Sequence, residues 1–171
     1  MTERKHPCVI HLSDAPVRTG EKGKRFGFTA KTLGQATGAK GIGCSWYEVP
    51  PGRTAFPMHY HCANEEAIFV LEGEGTLRIG DERVAVRAGD YVTMPPGPDH
   101  AHQLINTGSA ALRYLCMSTL GHGAEVVGYP DSKKIGIVGV PPGWKPPAPP
   151  WIRLIMRGET SLDYYDGEPI D

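Results

Sequence analysis

The sequence predicts an all-β domain, a sandwich or barrel built from short strands. Three observations carry this reading. Short apolar runs recur at intervals of about 8 to 12 residues, each bounded by glycine or proline. Glycine and proline number 22 and 16 among 171 residues, close to twice their ordinary combined share of about 12%. No segment carries a sustained apolar stripe at helical spacing.

The elements follow in order. Residues 1 to about 25 are polar and read as an arm. Phe26, Phe28, Ala30 and Thr32 fall on one face of a first strand that ends at Gly34. A glycine-rich stretch over 34–43 leads into a strand at 44–49, stopped by Pro50, Pro51 and Gly52. Beyond a histidine-rich segment, residues 67–71 are apolar. Glu72 to Gly75 then turns the chain, and Leu77 and Ile79 share one face of the strand at 76–79. Gly80 and Asp81 stand where a two-residue hairpin needs left-handed backbone. Strands at 83–86, 91–94, 102–105 and 112–118 follow, separated by turns at 88–90 and 95–98.

After Thr119 the composition shifts. Residues 141–150 are so rich in proline that neither helix nor central strand is open to them, and an extended polyproline segment is expected. Residues 151–156 are too apolar to leave in water. With Trp144 and Trp151, they predict a tail that docks on the barrel or on a second subunit. The expected division is an arm at 1–25, a barrel at 26–120 and a docking tail at 121–171.

Composition excludes several classes. Lys plus Arg is 18 against 19 for Asp plus Glu, a formal charge of −1, so no nucleic-acid partner is expected. The first ten residues are charged and contain a proline, which predicts no secretory leader. No window approaches the roughly 18 apolar residues of a membrane span, so a soluble cytoplasmic protein is expected. Cys8, Cys44, Cys62 and Cys116 form no C-x-x-C pair and read as reduced, mostly buried thiols.

Four of the seven histidines, His59, His61, His100 and His102, lie within one 44-residue stretch. On a strand His59 and His61 point to the same face, so both imidazoles reach one point. Glu66 begins the next strand, which returns past the pair, and His102 begins another after a proline-glycine turn. Two imidazoles, a carboxylate and a third imidazole suit a divalent transition metal: Fe, Mn, Zn, Ni or Co. Cys62 abuts His61 but points to the opposite face and reads as a buried thiol. Tyr60 should pack outside the cavity, and Trp46 and Phe56 read as core.

At these residues the sequence resembles the cupin superfamily. Its first motif is matched by His59-x-His61, Glu66 and Gly73, with Gly52 one residue further from His59 than the pattern asks. Its second is matched by Gly89 and Pro95-x-Gly97, after which the register splits. His100 has the expected spacing from Gly97, and His102 has the expected spacing to Asn106. The resemblance covers about residues 40 to 120. It implies a jelly-roll, double-stranded β-helix barrel with a metal held by His59, His61, Glu66 and His102. The spacing to Gly73 prefers Glu66 to Glu65, and the strand leading to Asn106 prefers His102 to His100. Small bacterial cupins of this kind are often labelled sugar-phosphate-isomerase-like, and residues 129–133 and 163–168 extend the similarity weakly.

What the resemblance implies about function is a metal-dependent enzyme acting on a small polar molecule that bears a carboxylate or carbonyl. Isomerase, dioxygenase and decarboxylase chemistry are all within the superfamily. The alternative is a non-catalytic sensor or binding module with a structural metal. A homodimer is also expected, because open sheet edges invite another chain. The arm and the strand from Phe26 are suited to pair across a two-fold axis.

Overall fold

The structure is a computed structural model that describes residues 6–120, 123–141, 148–157 and 166. Thirteen strands form in chain order: β1 (Val17–Lys22), β2 (Phe26–Thr32), β3 (Ile42–Val49), β4 (Tyr60–His61), β5 (Glu66–Glu72), β6 (Glu74–Ile79), β7 (Glu82–Arg87), β8 (Tyr91–Met94), β9 (His102–Ile105), β10 (Leu112–Thr119), β11 (Ala124–Tyr129), β12 (Lys134–Gly139) and β13 (Ile152–Arg157). One short helix, α1 (Leu33–Ala36), lies between β2 and β3. All strand pairs are antiparallel. They form a six-stranded sheet β1-β2-β3-β10-β5-β8, a three-stranded sheet β7-β6-β9 and a four-stranded sheet β13-β12-β11-β4. This is the expected double-stranded β-helix.

The two-residue period of the strands decides which side chains are inside. Tyr47 and Val49 of β3, Ile68 and Val70 of β5, and Leu112 and Tyr114 of β10 are all buried. They meet Leu77, Val86 and Leu104 of the smaller sheet in one core cluster. Tyr47 and Tyr114 lie directly opposite each other on β3 and β10 and stack at 5.3 Å. The β6–β7 hairpin turns at Gly80 and Asp81, with Gly80 at φ 52. A Cβ at Gly73, where φ is 82, would come 2.6 Å from the Ala111 carbonyl oxygen, so glycine is required between β5 and β6.

Four strands lie where the sequence analysis named none: β1 before Phe26, and β11, β12 and β13 after Thr119. β1 pairs along its whole length with β2, and β2 also pairs with β3. The strand from Phe26 is therefore interior to the sheet and has no free edge to offer a second chain. This corrects the expected two-fold pairing through it. β11 joins β4, which carries His61, to β12 and β13. The thiols also differ from expectation: Cys8 and Cys62 are exposed, and Cys44 and Cys116 are half-buried. Trp144 and most of residues 163–168 lie outside the described residues. Among the described residues no helix is long and apolar enough to cross a membrane.

Candidate metal centre

His59 and His102 are brought face to face by backbone pairing. Each peptide N–H donates to the other's carbonyl, at 3.1 and 2.8 Å, and the rings lie 4.5 Å apart. His61 follows on β4, whose strand pairs with β11 at Val127. Its carbonyl accepts the Gly97 N–H at 2.9 Å, so the proline-glycine turn is tied to the histidine pair. The two residues by which the second motif runs long are taken up by a 3₁₀ turn at Pro98–His100. That turn leaves His102 on β9 with its side chain in the cavity.

Glu66 reaches the same cavity because it is in phase with Ile68 and Val70 on β5. Glu65, one residue out of phase, is exposed. Glu66 Oε2 lies 3.9 Å from His59 Nε2, 3.5 Å from His61 Nε2 and 3.2 Å from His102 Nε2. The ligand atoms of His59, His61 and Glu66 all lie within 4.8 Å of one another. His102 joins this trio through Glu66 and His59, its ring standing 6.5 Å from that of His61. Donors sharing one ion at about 2.1 Å are about 3 to 3.4 Å apart, so a modest contraction would seat a cation.

The tautomers favour that cation. His59 Nδ1 donates to the Pro57 carbonyl at 2.9 Å and His102 Nδ1 donates to the His100 carbonyl at 3.0 Å. A carbonyl only accepts, so in each neutral ring the proton sits on Nδ1 and the Nε2 lone pair faces Glu66. At 3.2 Å the His102 lone pair and a carboxylate oxygen are two acceptors in contact. A proton on Nε2 or a metal ion in its place relieves the conflict. Burial and the neighbouring His102 push His59 down to about 4, so it is neutral at pH 7. Burial works to raise Glu66, but the imidazoles of His102, His61 and His59 around it outweigh that and hold its carboxyl below the usual range. Burial pushes the Cys116 thiol up, and its sulfur is not among the clustered ligand atoms.

The cluster opens into a cavity of about 270 Å³. Phe56, Ile68, Leu104 and Val127 line it with the rings of Tyr47, Tyr114 and Tyr129. Tyr129 lies 6.3 Å from His59 with its ring nearly parallel. Burial pushes the phenols of Tyr47, Tyr114 and Tyr129 up, so they stay protonated at neutral pH. Phe56 packs on Phe28 and Tyr47 as core while also facing the cavity. Trp46 is not part of the lining. The His100 imidazole is not part of it either; its contribution is the carbonyl that holds His102.

Sequence reasoning missed β11, which supplies Val127 and Tyr129 to the cavity wall and Glu125 to the rear of His61. Glu125, Val127 and Tyr129 alternate in the sequence, which is a strand signal. Nothing local says that this strand pairs with β4.

Residues 45–118 match the family model described as Cupin domain. Over 76 residues the chain is 32% identical to quercetin 2,3-dioxygenase of Bacillus subtilis (strain 168), a match covering 44% of this chain and 23% of that protein. It thus spans under a quarter of that relative's length. A putative sugar phosphate isomerase from Acidithiobacillus ferrooxidans superposes with a TM-score of 0.69 at 26% identity, covering 77% of this chain and 86% of the other. A cupin-superfamily sugar phosphate isomerase from Silicibacter pomeroyi gives 0.74 at 21% identity, covering 92% and 98%. The second likeness is one of fold.

Proposed function

We propose, from the match of residues 45–118 to the Cupin domain model, that this chain is a metal-dependent enzyme acting on a small molecule with a carboxylate or carbonyl. His59, His61, Glu66 and His102 would hold a divalent ion: Fe, Mn, Zn, Ni or Co. The observation that carries this is the convergence of three Nε2 atoms on one carboxylate oxygen, two of them with their Nδ1 protons committed to carbonyls. When bound, the ion supplies positive charge that polarises a carbonyl or holds two substrate oxygens.

The rest falls to the chain's own side chains. Aromatic and aliphatic walls surround the cluster and leave its side chains mostly buried, which strengthens the charge interactions there. Tyr129, parallel to His59, forms one wall against which a flat ligand can lie. Tyr47, whose hydroxyl accepts a hydrogen bond from Arg18 at 3.0 Å, is fixed in place. Among the described lining residues there is no Lys or Arg, which favours a ligand whose negative end goes to the ion over one carrying a phosphate. The cavity equals the liquid volume of about nine waters, which suits a ligand of roughly ten non-hydrogen atoms.

A non-catalytic binding module is the second reading, and one observation favours it. Among the described lining residues every histidine and carboxylate belongs to the cluster, leaving no separate imidazole or carboxylate to serve as acid or base. Metal analysis of protein purified anaerobically with each ion supplied should find about one ion per chain. The double substitution His59→Ala with His61→Ala should abolish it without unfolding the barrel. A screen of 2-oxo acids, hydroxy acids and enediols, followed by product analysis and O2 uptake, then separates the readings. Turnover supports the enzyme, ligand binding without turnover supports the module, and metal-free wild-type protein sinks both.

The same proposal includes a homodimer, supported by apolar side chains left exposed on the β11-β12-β13 sheet.

A further inference from the structure

His59 and His102 each have an acceptor for Nδ1, and His61 does not. His61 Nδ1 is buried and makes no hydrogen bond. If Nε2 of His61 gives its lone pair to a metal, the proton must sit on Nδ1, and a buried N–H without an acceptor is costly. The charged group facing that nitrogen is the Glu125 carboxylate, with Oε1 at 3.8 Å. The ring of His61 is thus bracketed by Glu66 on Nε2 and Glu125 on Nδ1.

Glu125 is held for this position. Its Oε1 accepts the peptide N–H groups of Cys62 and Ala63 at 3.1 and 3.2 Å, and its Oε2 accepts that of Asn64 at 2.9 Å. Oε1, the oxygen facing His61, takes the Cys62 N–H only as the longer arm of a bifurcated bond, so it keeps acceptor capacity for the imidazole. The shorter arm of that Cys62 N–H goes to the Val126 carbonyl at 2.9 Å, which holds the loop to β11 through the backbone as well. The carboxylate and the loop after His61 therefore move as one unit, and closing 3.8 Å to a hydrogen bond asks only for a small shift of the ring.

We infer that Glu125, on β11 and outside the matched domain, is the positioning residue for His61: it takes the Nδ1 proton and aims Nε2 at the metal. The inference rests on the metal-centre reading above. A carboxylate partner differs in kind from the carbonyls behind His59 and His102. It places negative charge behind the imidazole and makes its Nε2 a stronger donor. One of the three histidines would then owe its ligand strength to the C-terminal sheet.

The test compares full-length wild type with Glu125→Gln, both stripped of metal, by Zn(II) competition against a chromophoric chelator. Loss of the carboxylate should weaken Zn(II) binding by about 10- to 100-fold, the usual effect of removing such a partner. Loading with Co(II) supplies the signature that a merely structural role would not produce. Three exchangeable imidazole N–H lines are expected in the proton NMR spectrum of the wild type. In Glu125→Gln one line should shift or vanish while the two from His59 and His102 stay. Circular dichroism of the metal-free variant should report an intact sheet structure. Zn(II) affinity within threefold of wild type, or three unmoved lines, would overturn the inference alone, as would all three lines moving together. A wild type that takes up neither ion would overturn the metal-centre reading and this inference with it.

Discussion

His102 meets His59 through its backbone and Glu66 through its ring, whereas His100 acts through its carbonyl. His102→Ala should therefore cost at least about tenfold in Zn(II) affinity, while His100→Ala should stay within about threefold. Competition titration reads both, and the reverse order would place the ligand in the turn. Asn106, the last residue of the second motif, lies outside the cluster and serves the turn beyond β9. Fully buried, it donates to the Val49 and Ala110 carbonyls, both at 2.8 Å, and accepts the Gly108 N–H at 3.0 Å. Asn106→Ala strands these groups and should cost about 2 to 4 kcal/mol in urea unfolding. A loss below about 1 kcal/mol would mean that the turn satisfies itself.

An ion pair adds to the backbone pairing that joins the C-terminal sheet to the barrel. Arg78 of β6 donates to both oxygens of Asp131, at 2.8 and 3.0 Å, in the 3₁₀ turn Pro130–Ser132 that follows Tyr129. Arg78 also donates to Gln103 of β9 at 2.9 Å, so three elements share one guanidinium. That guanidinium holds the Asp131 carboxyl below the usual carboxylate range. The carboxyl is charged more readily folded than unfolded. The stabilisation is therefore present above the ordinary Asp pKa and is lost as pH falls through the lowered one. Both partners are partly exposed, so Asp131→Asn should cost less than about 1 kcal/mol at pH 7. Thermal unfolding of the metal-free pair should show that deficit at pH 7 and its decline as the pH falls below the ordinary Asp range. A deficit that does not change with pH would assign the effect to packing.

At the scale of the whole molecule, the face of the C-terminal sheet turned away from Glu125 and Tyr129 is apolar across all three strands. The register sets Val126 opposite Ile137 and Ile137 opposite Leu154, with Ile135 opposite Met156. Val126, Ile135, Leu154 and Met156 are each more than a third exposed, and Trp151 at the start of β13 is 73% exposed. Adjacent apolar rows of this kind support the proposed homodimer, and β13 has a free edge among the described residues. Light scattering after size exclusion should give a homodimer at micromolar concentration. Leu154→Lys with Met156→Lys should shift it toward the 18.5 kDa chain. A wild-type monomer would refute the assembly. At the other end of the molecule β1 closes over the edge of β2 and is itself the terminal strand of the six-stranded sheet.

What could be read from the sequence was whatever depends on the two-residue period of a strand. Phe26 to Thr32, the Gly80 hairpin, the shared face of His59 and His61, and the strand beginning at Glu66 all follow from local backbone geometry. Glu66 was preferred to Glu65 by the family spacing to Gly73, and the strand period agrees, because only Glu66 keeps phase with Ile68 and Val70. The partner of a strand is not a local property. It is decided by burial and by which peptide groups remain to be paired, and the contacts concerned are distant in sequence. Glu125 reaches the peptide of Cys62 across 63 residues and Arg78 reaches Asp131 across 53. The sheet of β11, β12 and β13, the carboxylate behind His61 and the tyrosine over His59 were therefore decided by the tertiary structure alone.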